Sequence, residues 1–191
     1  MAPVSCALMR RNAVIGFGLL ATATALWAVG GSLDMESWSS APLLNVGRSA
    51  AYAMVALACL RGAGPRGALA GLAVASVMDI LGYVGSVLRL ESWGALFESI
   101  EFVSSAWIAV LVARWWAAGK VARPSALRAP LLLLALTALY WGLVGLGQPL
   151  AALHVTANAA AAAGALLVAF SRSAEWPSSA TVKRGVALAR S

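Results

Sequence analysis

Residues 12–32 read NAVIGFGLLATATALWAVGGS, and no charged side chain stands between Arg11 and Asp34. At about 1.5 Å rise per residue, some 20 apolar residues match the ~30 Å hydrocarbon thickness of a bilayer, so the stretch predicts a membrane-spanning helix. The Arg10-Arg11 pair before it fits a signal peptide, but the run exceeds the ~7–15 apolar residues of a signal segment. An uncleaved helix is therefore expected. The rest of the 191-residue chain is of the same kind: 61% hydrophobic, 11% charged, with a mean hydropathy of +0.84. Soluble domains carry about 25% charged residues. Lipid rather than water must be the main solvent, and the length allows one membrane domain.

Further spans follow from the breaks. A second runs from about Leu43 to Leu60 and ends at Arg61-Gly-Ala-Gly-Pro-Arg66, where glycine, proline and charge coincide. The third runs from Gly67 to about Leu88. The fourth runs from Ala95 to Ala117 and is closed by the Lys120–Arg128 segment with Pro124. The charge-free stretch 129–171 is too long for one helix, and Gly147-Gln148-Pro149 divides it into a fifth span, Pro130–Leu146, and a sixth, Leu150–Phe170. The fold class expected is an all-α membrane protein: a six-helix domain over residues 1–171 and a basic tail over 172–191.

Orientation follows from lysine and arginine. Arg10 and Arg11, then Arg61 and Arg66, then Arg114, Lys120, Arg123 and Arg128, then Arg172, Lys183, Arg184 and Arg190 all fall on one side. The opposite connectors hold Asp34 and Glu36, then Arg89 and Glu91, then no charge. Both termini are thus expected in the cytoplasm of a protein of the cell inner membrane. Trp38 and Trp93 would anchor the outer interface, and Trp115, Trp116 and Trp176 the inner one, with membrane lipids as the surrounding partner. The net charge of +7 is scattered in short clusters rather than gathered on one face, which argues against nucleic acid. Cys6 and Cys59 both map to the reducing side and frame neither a disulfide nor a zinc site. The single His154 excludes bis-histidine haem, and no HExxH, CxxC, GxSxG or Walker pattern occurs, so no metal and no cofactor is expected.

The chain also repeats itself. Val29-Gly-Gly-Ser-Leu-Asp-Met-Glu-Ser-Trp38 matches Val84-Gly-Ser-Val-Leu-Arg-Leu-Glu-Ser-Trp93 without gaps, 55 residues on. The same offset pairs Ser49 with Ser104, Ala51 with Ala106, Tyr52 with Trp107, Val55 with Val110 and Ala58 with Ala113 downstream. Hairpins over 12–61 and 67–117 therefore read as parallel copies related by an axis along the membrane normal. A third copy over 129–171 is carried only by Tyr140-Trp-Gly-Leu-Val-Gly145, without the Glu-Ser-Trp connector.

Ionisable groups near a helix centre cost roughly 2.5–3.5 kcal/mol each in a bilayer, so they mark where function would lie. Asn45, Arg48 and Tyr52 share one face of the second span, and Glu98, Glu101 and Ser105 one face of the fourth. Asp79 stands mid-span in the third, with Ser76 and Tyr83 a turn to either side; the sixth carries His154 and Asn158 at i and i+4. Arg48, Glu98, Glu101 and His154 would lie about 5–12 Å below the outer surface at ~1.5 Å per residue, with Asp79, Tyr52 and Asn158 deeper. The set describes a funnel from the outer face above an apolar cytoplasmic half. Arg48 is expected to pair with Glu98 or Glu101, and the two glutamates, a turn apart, to titrate as a coupled pair.

Three functions share this architecture. The first is binding or transport of a small solute, with Arg48 as anion contact and Asp79, Glu98 and Glu101 as cation or proton sites. The second is an intramembrane acid/base enzyme on a lipid or isoprenoid, with Asp79 or the glutamate pair as the acid and Trp27, Tyr83, Tyr140 and Trp141 stabilising positive charge. The third is an accessory subunit of a larger membrane complex, whose partner is another membrane protein. Close helix packing is expected at Gly67-x-x-x-Gly71, Ala21-x-x-x-Ala25 and Ala157–Gly164. Six short spans with Ala21-x-x-x-Ala25 in the first are similar in architecture to the substrate-binding subunits of energy-coupling-factor vitamin transporters, a resemblance that implies a solute-binding bundle.

Overall fold

The computed structural model describes residues 3–33, 41–61, 65–86, 93–119 and 124–171. They form six helices, α1 (Pro3–Leu33), α2 (Ala41–Arg61), α3 (Pro65–Ser86), α4 (Trp93–Ala117), α5 (Pro124–Val144) and α6 (Ala151–Ala169), with a 3-10 turn at Gly145–Gly147. No strand occurs among the described residues. Every helix contains a stretch long and apolar enough to cross a bilayer, from 19 residues in α6 to 25 in α4. Large apolar side chains such as Leu43, Leu60, Val84 and Leu143 stand exposed around the outside, as lipid requires and water would not tolerate. This is the architecture of a multi-pass helical membrane protein.

Two boundaries differ from the sequence reading by more than two residues. α1 starts at Pro3, so the Arg10-Arg11 pair lies within the helix. α5 starts at Pro124 rather than Pro130. Proline suits the first helical position, where the N–H would be unpaired anyway. Pro130 sits inside the helix and removes one backbone donor. Asp34, Glu36, Trp38, Arg89, Glu91, Lys120, Arg123, Trp176 and the tail 172–191 lie outside the described residues, as do the side chains of Cys6 and Arg10.

Each helix packs on its neighbours in sequence, and α6 returns to α1, so the helices form a closed ring of three hairpins. The lightest seam is α4–α5, filled by Phe97 stacked on Tyr140 at 3.8 Å between centroids. One end of the ring is plugged. Phe17, Leu72 and Leu131 from α1, α3 and α5 meet Val55, Ile108 and Val168 from α2, α4 and α6 in one apolar cluster. That end carries the N-terminal halves of the odd-numbered helices and the C-terminal halves of the others. Arg128 stands there too. Its Nε donates to the carbonyl of Ala169 at 3.1 Å and its guanidinium lies 6.0 Å from the Phe170 ring, placing a cation at the negative end of the α6 dipole.

The three hairpins bury corresponding positions. Ala13, Gly16 and Phe17 of α1 are buried, as are Ala68, Gly71 and Leu72 of α3 and Leu127, Pro130 and Leu131 of α5. In the second helices, Ala51, Tyr52 and Val55 are matched by Ser104, Ser105 and Ile108 of α4 and by Gly164, Ala165 and Val168 of α6. The 55-residue offset therefore describes α1 and α3 but fails for α2 and α4, whose buried faces superpose at 53. Tyr52 is 7% exposed and Val55 fully buried, while Trp107 and Val110 are 43% and 56% exposed. A slip of two residues turns a helix by about 200° at 3.6 residues per turn. The downstream pairings expected from sequence thus join a core face to a lipid face.

Among the described residues, the closest approaches to backbone fall on three glycines, Gly16, Gly71 and Gly164. A Cβ on Gly16 would lie 2.7 Å from Val168 Cγ2 and 2.9 Å from the Gly164 carbonyl; one on Gly71 would lie 2.6 Å from Val55 Cγ2 and 2.9 Å from the Ala51 carbonyl. The α1–α6 and α3–α2 contacts are thus built alike. Of the other small residues singled out in the sequence, Gly67 and Ala25 are exposed.

Leu150 opens α6 with φ 61 and ψ 33, a left-handed conformation for a residue with a Cβ. Its carbonyl accepts from the backbone N–H groups of Leu153 and His154 at 2.9 and 3.1 Å, so the turn after Pro149 is fixed by hydrogen bonds. A left-handed L-residue costs roughly 1–2 kcal/mol. Leu150→Gly should therefore stabilise the protein by about 1 kcal/mol, seen as a higher midpoint of thermal unfolding.

Candidate functional site

Above the apolar plug the ring encloses a cavity to which all six helices contribute. Thr24 and Trp27 come from α1, Arg48 and Tyr52 from α2, Asp79 from α3, Glu101 from α4, Thr137 and Trp141 from α5, and Asn158 and Ala161 from α6. It leaves about 40 Å³ for the centres of water-sized molecules, roughly the room of three waters at ~10–15 Å³ each. A narrower crevice, bounded by Trp27, Gly30, Leu153 and His154, lies a turn further from the plug.

The cavity is charged on one side. Arg48 Nη1 lies 2.5 Å from Asp79 Oδ1 and 3.9 Å from Glu101 Oε1, so its principal partner is the mid-span aspartate and not a glutamate. Ser105 donates to the other Asp79 oxygen at 3.1 Å. Ser76, a turn before Asp79, donates instead to the Leu72 carbonyl of its own helix. The Arg48 guanidinium also sits 5.8 Å from the centroid of Trp27. Such a pair in low dielectric holds together only because each charge finds the other; removing one member of a buried pair typically costs 3–5 kcal/mol. Ser105→Ala removes a hydrogen bond to a charged acceptor and should cost about 1.5–3 kcal/mol of stability, measured by thermal unfolding.

The opposite side is apolar, aromatic and hydroxylic. Asn158 is 3% exposed; its Nδ2 donates to the His154 carbonyl at 2.9 Å, while its Oδ1 has no hydrogen-bond partner among the described residues. Close packing fixes it there, since a Cβ on Gly142 would approach the Asn158 Cβ to 3.3 Å. Arg48 Nε likewise has no hydrogen-bond partner among the described residues. A buried donor or acceptor left unpaired costs about 1–3 kcal/mol, so two of them on residues that line one cavity equip it to hold a polar guest.

Five of the eight residues singled out in the sequence line this cavity: Arg48, Tyr52, Asp79, Glu101 and Asn158. Three do not. Tyr83 stacks on Phe102 at 4.4 Å between the α3 and α4 faces. His154 lines the narrower crevice and packs against Gly145. Glu98 is half-buried on α4, a turn from Glu101. Thr24, Thr137 and Ala161 were not singled out as site residues, and Trp27 and Trp141 only as aromatic candidates. The two tryptophans occupy corresponding positions on α1 and α5, a signal that emerges once Gly16 and Pro130 are aligned.

No family model matches the chain, and neither a curated protein nor a solved structure matches it.

Proposed function

We propose that the protein is a multi-pass component of the cell inner membrane, both termini cytoplasmic, that binds or transports a small polar solute through an outward-facing axial site. The three hairpins are read as parallel copies around that axis, with residues 12–61, 67–117 and 129–171 as the repeating units. The observation that carries the reading is the cavity on the ring axis with Arg48 Nε and Asn158 Oδ1 unpartnered beside an ion pair. A cluster that served only to lock helix register would satisfy its own polar atoms. The apolar plug at the end bearing Arg61, Arg66, Arg114 and Arg128 supports access from the other end, and the positive-inside rule puts that other end outside.

The test is a thermal-stability screen of the purified protein against small polar solutes, comparing wild type with Ala161→Leu. Ala161 lines the cavity and carries no polar atom of the site, so leucine there fills the space while the charges stay. At least one solute should raise the wild-type midpoint and leave the variant unmoved. If no solute shifts wild type and Ala161→Leu is the more stable protein, the cluster is structural and an accessory-subunit role replaces the binding role.

A further inference from the structure

We infer that the guest of the axial cavity is a small protonated amine, held by Glu101 and Asn158 Oδ1 against the Trp27 and Trp141 side of the ring. The inference rests on the solute-binding reading and narrows it to one chemical class.

Charge is the first ground. Among the described residues, the charged groups lining the cavity are Arg48, Asp79 and Glu101, one guanidinium against two carboxylates. Arg48 is committed to Asp79, and Glu101 stands further off at 3.9 Å, its side chain 25% exposed. The lining therefore carries one formal negative charge beyond its own pairing, at a depth where an unbalanced charge is costly. A proton on Glu101 or a bound monocation balances it; an anion or a zwitterion does not.

Hydrogen-bonding capacity is the second and independent ground. Asn158 Oδ1 is an acceptor without a partner. Thr24 and Thr137 each spend their hydroxyl proton on their own helix, on the carbonyls of Leu20 or Ala21 and of Leu134, which leaves lone pairs as what they offer. Glu101 adds carboxylate oxygens. Against these acceptors stand the donors Arg48 Nε, without a partner among the described residues, the Tyr52 hydroxyl and the indole N–H groups of Trp27 and Trp141. An ammonium group brings three N–H donors and no acceptor, matching a wall of acceptors better than an amide or alcohol does. Aromatic faces attract cations as well, and Trp27 and Trp141 both line the space.

Size is the third constraint. Room for roughly three waters admits a cation of about two to four heavy atoms and excludes bulkier amines in this conformation.

The experiment uses the full chain in lipid nanodiscs, with N-methylglucamine chloride as the background salt, and reads thermal midpoint and tryptophan fluorescence during titration. The probes are methylammonium, neutral acetamide of similar size, acetate and sodium. Methylammonium should raise the wild-type midpoint saturably while acetamide, acetate and sodium do not. Glu101→Gln should weaken methylammonium by roughly tenfold or more, because it removes the charge that the guest balances. Should that variant not fold, Ala161→Leu must abolish the response by filling the cavity. A response to acetamide, acetate or sodium with none to methylammonium overturns the amine assignment while leaving a solute site in place. Silence from all four probes also overturns it, and the wider solute screen then decides whether the cavity binds anything. A methylammonium response that survives both Glu101→Gln and Ala161→Leu places the amine elsewhere and overturns the inference.

Discussion

Arg48→Met should remove about 3–5 kcal/mol of stability, a large share of the roughly 5–15 kcal/mol a protein has, whereas the double variant Arg48→Met/Asp79→Leu should recover most of that loss. The single change leaves the Asp79 carboxylate buried with only the Ser105 hydroxyl as partner. Taking out both members instead replaces an ion pair with apolar contacts, which in buried sites is often neutral or stabilising. Asp79→Leu alone should cost less than Arg48→Met, because Glu101 is already 3.9 Å from the guanidinium and can become its partner. Thermal unfolding of the four proteins gives the comparison directly. A double variant as unstable as Arg48→Met would mean that the loss comes from packing around residue 48 and not from a stranded charge.

The second large effect is steric. Gly16→Ala should cost about 1–3 kcal/mol, since its new methyl group would meet Val168 Cγ2 at 2.7 Å and the backbone carbonyl of Gly164 at 2.9 Å. The valine can turn; the carbonyl belongs to helix α6 and cannot, so α1 and α6 must part. Gly18→Ala, two residues along the same helix, meets nothing within 4 Å and should stabilise by about 0.5–1 kcal/mol through helix propensity alone. Gly71→Ala should repeat the Gly16 penalty at the α3–α2 contact, where the Ala51 carbonyl takes the place of Gly164. Equal and small effects at positions 16 and 18 would contradict the close approach of α1 and α6.

These two sets of residues also show what could be read from the chain alone. Spans in lipid were legible because their signal is length without charge, as between Arg11 and Asp34. Which way each helix faces was legible only where a polar residue fixed it. Arg48, Asp79, Glu101 and Asn158 declared their inward faces and line the cavity together. Leu57 and Leu131 look alike in sequence, yet one faces outward and the other is core, because lipid accepts the same side chains as the protein interior. That is why the repeat in the connectors does not carry its register into α2 and α4, where Tyr52 is core and Trp107 faces outward. The partner of Arg48 is hidden in the sequence for a related reason. Depth along the axis placed Arg48 level with Glu98 and Glu101, but the ring packs α2 directly against α3, and Asp79 reaches the guanidinium first. Tyr83 lay near the right level but at the α3–α4 interface, against Phe102.

The most direct measurement is single-cysteine accessibility at Thr137, a cavity-lining residue whose hydroxyl bonds only to its own helix. Thr137→Cys would be made in a background with Cys6 and Cys59 replaced by serine, and labelled with silver ion, a monatomic charged thiol reagent small enough for the cavity, in right-side-out and inside-out vesicles. Labelling from the external face, slow or absent from the cytoplasmic face, is the predicted result. Labelling from the cytoplasmic face alone, or from neither face while the unfolded protein reacts, would contradict an outward-facing site on the bundle axis.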